Sequence, residues 1–210
     1  MNVRDIPEGL MTKAELCALG FTPMQLSRLV SSNALERPWR GVYRRAGSEN
    51  PRSAWAGLTV AHPGAVFWLY SAAVFHELTE NLGVALYVAV PDGDKLSDGG
   101  ALHVSRWVSD SALSLGVEQH VIDGVAVKIT SPQRTVVDFF RLSSMGGGAW
   151  RKNAVEPDVL FDVVSRYIAR HGAPGRDLQR MAKKFKVWDA MRVYLNTLQL
   201  ARPDLFSKAD

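Results

Sequence analysis

Hydrophobic residues recur at helical spacing in two short segments near the N-terminus. Leu16 and Leu19 form one apolar stripe, and Leu26, Leu29 and Val30 form a second. Side chains three and four positions apart lie on the same side of a helix. The pattern therefore predicts two amphipathic helices whose apolar sides pack against each other.

Capping residues mark where both helices begin. Thr12 is followed three positions later by Glu15, and Thr22 by Gln25, so each pair can form a capping box in which side chains bond to the free amides of the first turn. Gly20 lies between the two segments and can adopt the left-handed conformation that ends a helix. The sequence thus predicts a helix, a tight turn and a second helix.

A basic hairpin is predicted directly after the second helix. Leu35–Trp39 and Val42–Tyr43 have the pattern of two short strands joined at Arg40-Gly41. Helix, turn, helix and hairpin together predict a winged helix-turn-helix. The polar side chains expected on the outer helix face and on the hairpin are the candidate DNA contacts: Gln25, Arg28, Ser32, Arg37, Arg40 and Arg44.

These residue types suit a DNA interface for two reasons. Gln and Arg carry paired polar atoms that match the edges of adenine and guanine in the major groove. Arginines on the hairpin can reach phosphates or enter the minor groove. The alternative is a helical hairpin used for protein contacts, with solvated arginines.

A second domain is predicted from the point where the apolar pattern restarts after a polar stretch, which divides the chain into residues 1–50 and 53–210. Its predicted strands and helices indicate a mixed α/β domain with a small, largely antiparallel sheet and C-terminal helices, so the fold class is α+β. Predicted strands are Ala85–Val90, Leu102–Trp107, Val117–Ile122 and Val125–Ile129, the last two joined by the hairpin turn Asp123-Gly124. Predicted helices are Ser71–Leu78, one beginning at Ser131-Pro132, Pro157–Arg170, Gly175–Phe185 and Trp188–Leu198.

Charge is unevenly distributed along the 210 residues, whose formal net charge is +4. Residues 1–52 carry +3, residues 53–130 carry −5 and residues 131–210 carry +6. A local basic surface is what nucleic-acid binding requires. Four cations on adjacent turns of one predicted helix are either a partner or phosphate contact or a solvated face: Arg176, Arg180, Lys183 and Lys184.

The sequence gives little indication of a disulfide, a membrane span, a metal site or a catalytic site. Cys17 is the single cysteine, which excludes an internal disulfide, favours a reducing cytoplasm and is expected to be a small buried filler. No apolar run approaches the roughly 18 residues that indicate a membrane span. His76-Glu77 lacks the second histidine of a metalloprotease helix. We therefore predict no catalytic residue, metal or cofactor, and interpret Asp138 as an ion-pair partner of Arg134 and Arg141.

The chain resembles the AbiEi family of antitoxins from type IV toxin-antitoxin systems over nearly its whole length. The head shows the strongest likeness, from Gly9-Leu10-Met11-Thr12 to Gly41-Val42-Tyr43. Outside the head, Ser131–Asp138 is the most specific match, because family members have a similar Pro-x-Arg-Thr-Val-x-Asp segment. Weaker matches are Ser71-Ala72-Ala73 with His76, and the strand Tyr87–Pro91.

This resemblance implies an antitoxin that represses its own operon. The N-terminal domain would bind inverted repeats in promoter DNA through the six positions named above, and the C-terminal domain would oppose a nucleotidyltransferase toxin without catalytic residues of its own. Two alternatives stay open. One is a winged-helix regulator that responds to a ligand, and the other is an enzyme that reverses the toxin's modifications.

Overall fold

Two β-sheets organise the chain, one of three strands near the N-terminus and one of five strands in the remainder. The computed structural model describes residues 3–47, 50–80, 85–146 and 154–207. Its helices are α1 Lys13–Ala18, α2 Pro23–Ser31, α3 Ser53–Ala61, α4 Tyr70–Phe75, α5 Asp110–Ser114, α6 Pro132–Leu142, α7 Pro157–His171, α8 Arg176–Lys184 and α9 Trp188–Ala201. Its strands are β1 Met11–Thr12, β2 Leu35–Trp39, β3 Val42–Arg45, β4 Val66–Phe67, β5 Leu86–Pro91, β6 Leu102–Trp107, β7 Val117–Ile122 and β8 Val125–Thr130. The predicted α+β class is confirmed.

Both predicted capping boxes are present in the N-terminal unit. The Thr12 hydroxyl accepts from the Glu15 amide at 3.2 Å, and the Glu15 carboxylate accepts from the Thr12 amide at 2.7 Å. Thr22 and Gln25 repeat this arrangement at the start of α2, at 3.2 and 2.8 Å. Gly20 between the helices has φ +93°, in the left-handed region. The starts of both helices and the turn between them were therefore predictable from local sequence.

The core of this unit follows the predicted stripes with two exceptions. Leu16 and Leu26 are fully buried, and Leu29 and Val30 pack partly against them. Leu19 is 41% exposed, because α1 already ends at Ala18 and Leu19 belongs to the turn. Cys17 is exposed and not the buried filler that we expected. The sheet of this unit has the order β1-β3-β2 with antiparallel neighbours throughout.

The larger sheet is mixed, which corrects the prediction of a largely antiparallel one. Its order is β6-β5-β4-β8-β7. The pairs β4–β5 and β7–β8 are antiparallel, whereas β4–β8 and β5–β6 are parallel. Local turn signals identify hairpins such as β7–β8, but parallel neighbours are joined by longer connections that leave no such signal.

Each face of this sheet carries its own hydrophobic core. Val66 of β4 points into a cluster shared with α6, α7, α8 and α9, and its neighbour Phe67 belongs to the cluster beneath α3. Successive strand residues point to opposite faces, so a strand buried on both sides shows no alternation of polar and apolar residues. This explains why β4 was not predicted.

The N-terminal unit packs directly on the rest of the chain through α3. Gly57 of α3 faces Trp39 of β2 so closely that a Cβ atom built on Gly57 would lie 2.9 Å from the Trp39 Cβ. Trp39 in turn packs against the hydrophobic cluster beneath α3. The division at residues 50–53 stays a prediction, and the described segments on its two sides are in intimate contact.

Candidate nucleic-acid interface

The outer face of α2 presents two of its three predicted contacts to solvent. Arg28 and Ser32 are exposed, on the side opposite the buried Leu26. Arg28 forms no ion pair with another described residue, so its guanidinium is available to a ligand. Ser32 donates its hydroxyl proton to the Leu29 carbonyl oxygen at 3.1 Å and keeps its acceptor capacity.

Gln25 is the half-buried member of this set. Its side-chain oxygen accepts from the backbone amide of Thr22 at 2.8 Å and from the Thr22 hydroxyl at 3.1 Å. A glutamine that recognises adenine forms hydrogen bonds with both the oxygen and the nitrogen of its side-chain amide. Gln25 would have to release the cap of α2 to do so, and in this structure it acts as a capping residue.

The hairpin between β2 and β3 carries Arg37 and Arg40, both exposed. Arg40 lies at the two-residue turn with Gly41, whose φ of +79° requires the left-handed region. The Arg37 guanidinium lies 5.8 Å from the centre of the Tyr43 ring, which restrains it without neutralising its charge. Neither arginine has an acidic partner within the described part of the chain.

Arg44 is not available for a DNA contact, which corrects its assignment to the exposed hairpin set. It is 8% exposed and lies between the Glu36 carboxylate at 2.7 Å and the Asp123 carboxylate at 2.5 Å. The two partners come from β2 and from the β7–β8 turn. β3 is the central strand of its sheet and is buried from Val42 to Arg44, so Arg44 lies inside, where it ties the hairpin to the larger sheet.

The four C-terminal cations come together on the surface of α8. All are exposed, and they line one groove with Asp177 and Gln179: Arg176, Arg180, Lys183 and Lys184. Asp177 accepts from Arg180 at 3.1 Å, so one charge of the set is partly balanced. The groove has the sign and exposure needed for phosphates or acidic side chains.

Asp138 has the structural role that we predicted. Its carboxylate, fully buried, accepts from Arg134 Nε at 2.7 Å and from Arg141 Nη1 at 2.8 Å. Burial lowers the pKa of Arg134, and the negative charge of Asp138 opposes that shift. The described residues contain no group of three or more His, Cys, Asp or Glu side chains that could hold a metal ion.

The sequence did not predict a cavity beside this ion-pair cluster, which we call the Trp68 cavity. Its volume is about 490 Å³. The side chains that matter for its chemistry are Trp68, Trp107, Val108, Arg134, Arg141 and Phe185. They come from four separate parts of the chain, and no local sequence signal links them.

Comparisons with known proteins place the overall fold only. No protein-family model matches the sequence, and no curated protein matches it. The chain is similar to the crystal structure of the Rv2827c protein from Mycobacterium tuberculosis, with a TM-score of 0.51, 16% sequence identity and coverage of 90% of this chain and 73% of that one. In the described residues, no helix is long and apolar enough to span a bilayer.

Proposed function

We propose that the protein is a DNA-binding antitoxin of the AbiEi type that represses its own operon. In this proposal α1, α2 and the three-stranded sheet form a winged helix-turn-helix, with α2 in the major groove and the β2–β3 hairpin as the wing. The observation that carries the proposal is the exposure of Arg28 on α2 and of Arg40 at the hairpin tip, neither with an acidic partner among the described residues.

The chemistry of these side chains fits distinct tasks on DNA. Arg28 can donate two N–H groups to the O6 and N7 atoms of guanine, a contact that discriminates between bases. Arg37 and Arg40 on the hairpin can contact phosphates or the minor groove, which fixes the protein's register on the duplex. The +3 charge of residues 1–52 adds long-range attraction.

The test of DNA binding is a set of gel-shift titrations of the full-length protein on the DNA upstream of its own gene. We expect Arg28→Ala to cost about 1–3 kcal/mol and to relax base preference. We expect Arg40→Ala to weaken binding to all sequences and to reduce the slope of log affinity against log salt by about one. The control is Arg192→Ala, which removes an exposed arginine from α9. Unchanged affinity and slope in both test variants would exclude this interface.

We assign the antitoxin activity to residues 53–210, and we name no catalytic residue among them. The cognate toxin is a nucleotidyltransferase, and the α8 groove is the surface that we propose for an acidic partner. Co-expression of toxin and antitoxin tests whether the two roles are separate. The full-length double variant Arg28→Ala, Arg40→Ala should still protect cells, while Arg180→Ala with Lys183→Ala should protect less. Equal protection by both variants would remove the α8 groove from the proposal.

A ligand-responsive winged-helix regulator is the second candidate. The Trp68 cavity favours it, since its volume of about 490 Å³ lies within the range of roughly 300–1,000 Å³ that small-molecule sites occupy. The two functions differ in a measurable way. A regulator of this type changes its affinity for DNA when its ligand binds, whereas an autorepressing antitoxin needs no small molecule.

A further inference from the structure

The Trp68 cavity holds more positive charge than its single buried carboxylate balances. Arg134 and Arg141 both line it, and within the described part of the chain Asp138 is the one acidic partner of each. Arg106 adds a third guanidinium at the wall, where its Nη atoms donate to the carbonyl oxygens of Asp94 and Leu96. The cavity is therefore electropositive, and a low-dielectric wall strengthens its attraction for an anion.

Both central guanidiniums are held in place but keep unused donors. Arg134 is 1% exposed and donates from Nη1 to the Leu115 carbonyl oxygen at 2.6 Å. Its carbon Cζ lies 4.1 Å from the centre of the Phe185 ring, and that of Arg141 lies 4.7 Å from it. Arg134 Nη2 and Arg141 Nη2 have no hydrogen-bond partner among the described residues. Rigid guanidiniums with free N–H groups match the geometry of a phosphate, because two parallel N–H groups can donate to two of its oxygens.

A buried donor without a partner lies in the same wall. Trp68 is 5% exposed, and its indole Nε1, itself buried, has no hydrogen-bond partner among the described residues. Buried polar groups are nearly always paired, since an unpaired one loses its hydration without compensation. Because this nitrogen is out of reach of solvent, the ring offers the cavity an aromatic surface and not a hydrogen-bond donor. Trp68 also meets Trp107 edge to face at a centroid distance of 5.2 Å, so the ring is held in a defined position.

The remaining wall is apolar and partly open. Val108 is 82% exposed although it borders the cavity, and Val104, Trp107 and Leu142 supply further apolar surface. An inorganic anion would leave this surface in contact with water. A ligand with both a phosphate and a flat apolar part would use both sides of the cavity.

We propose that the Trp68 cavity binds a nucleoside monophosphate, with its phosphate at Arg134 and Arg141 and its base against the apolar wall to which Trp68 and Trp107 belong. A phosphate accepts hydrogen bonds on several oxygens and from several directions, which suits two guanidiniums of the same helix, α6, better than a planar carboxylate does. The site involves none of the DNA-facing residues. It therefore stands or falls independently of the proposed DNA binding.

Isothermal titration of the full-length protein tests this site with AMP, CMP, GMP and UMP, with the matching nucleosides and with inorganic phosphate. We expect at least one nucleotide to bind with one site per chain, and its nucleoside and inorganic phosphate to bind at least about tenfold more weakly, because each lacks half of the contacts. No saturable binding of any nucleotide would overturn the proposal. Inorganic phosphate binding as tightly as the nucleotides would overturn it as well.

Three variants locate the binding. Trp68→Leu removes the aromatic surface of the wall and keeps it apolar, and Arg141→Gln removes a half-buried cation, so we expect each to weaken binding about tenfold or more. Arg192→Gln removes an exposed cation of α9 outside the cavity and should bind like the wild type. Near-ultraviolet circular dichroism verifies that each variant is folded. Wild-type affinity in a folded Arg141→Gln variant would show that the nucleotide binds elsewhere.

Discussion

At the scale of single residues, identical side chains have opposite roles according to which way the backbone turns them. Arg40 and Arg44 lie four positions apart in one hairpin, yet Arg40 is exposed and Arg44 is 8% exposed between two carboxylates. The sequence predicted both as DNA contacts because composition alone does not show which face of a strand is covered. Asp138 was easier to interpret, since its partners lie at helical spacing on the same element.

The negative charge of Asp138 should stabilise the buried cluster. Asp138→Asn leaves the buried Arg134 without a counter-charge, and we expect it to lower the free energy of unfolding by about 3–5 kcal/mol. Asp177→Asn is the matched control, because Asp177 also pairs with an arginine three positions on, Arg180, but both are exposed. The control should change stability by less than about 1 kcal/mol. Urea unfolding at pH 7 measures both, and equal effects would contradict our account of the buried cluster.

At the scale of elements, the capping signals predicted the starts of helices correctly, whereas elements buried on both sides were not predicted. The starts of α1, α2 and α6 follow from Thr12, Thr22 and Ser131, each of which caps its helix as the sequence indicates. Helix α3 was missed, because Trp55–Thr59 is buried without interruption between the hairpin and the larger sheet. A helix covered on both sides has no polar face and hence no amphipathic pattern.

The packing of α3 on the hairpin depends on a residue without a side chain. Gly57→Ala would place a Cβ 2.9 Å from the Trp39 Cβ and 3.2 Å from the Trp39 backbone nitrogen. Overpacking of this kind lowers the free energy of unfolding by about 1–3 kcal/mol. Alanine in place of glycine in a helix raises it by at most about 1 kcal/mol, so we expect Gly57→Ala to destabilise the protein. Gly99→Ala, where nothing lies within 4 Å, is the control and should be neutral. Thermal unfolding measures the stability of both variants. A Gly57→Ala variant more stable than the wild type would show that the contact between α3 and Trp39 is loose.

At the scale of the whole molecule, a polar latch joins the N-terminal unit to the larger sheet. Asp123 at the β7–β8 turn accepts from Arg44 of β3 and from the Asn50 side chain at 2.8 Å. Burial would raise the pKa of Asp123, but hydrogen bonds from Ser53 and Asn50 and the charge of Arg44 outweigh it and hold that pKa below its ordinary value. The ionised form is thus the one that the folded protein prefers.

Acid should therefore weaken this latch. A carboxyl group whose pKa is lowered by folding stabilises the protein above its unfolded-state pKa of about 3.9, and that contribution is lost as the pH falls through the folded value. We expect the stability difference between wild type and Asp123→Asn to be largest near pH 7 and to shrink from about pH 5 downward. Urea unfolding of both proteins at several pH values measures it. A difference that stays constant down to pH 2.5 would show that the carboxylate charge is not what holds the latch.

The sequence by itself determined what depends on near neighbours in the chain: the capping boxes, the two hairpin turns, the starts of most helices and the Arg134–Asp138–Arg141 cluster. These features need only residues within one or two helical turns of one another. The tertiary structure alone decided the parallel strand pairs, the two-sided burial of α3 and β4, the inward position of Arg44 and the assembly of the Trp68 cavity. Each of these depends on which distant segment covers a given face, and that follows from burying the largest apolar surface of the whole chain.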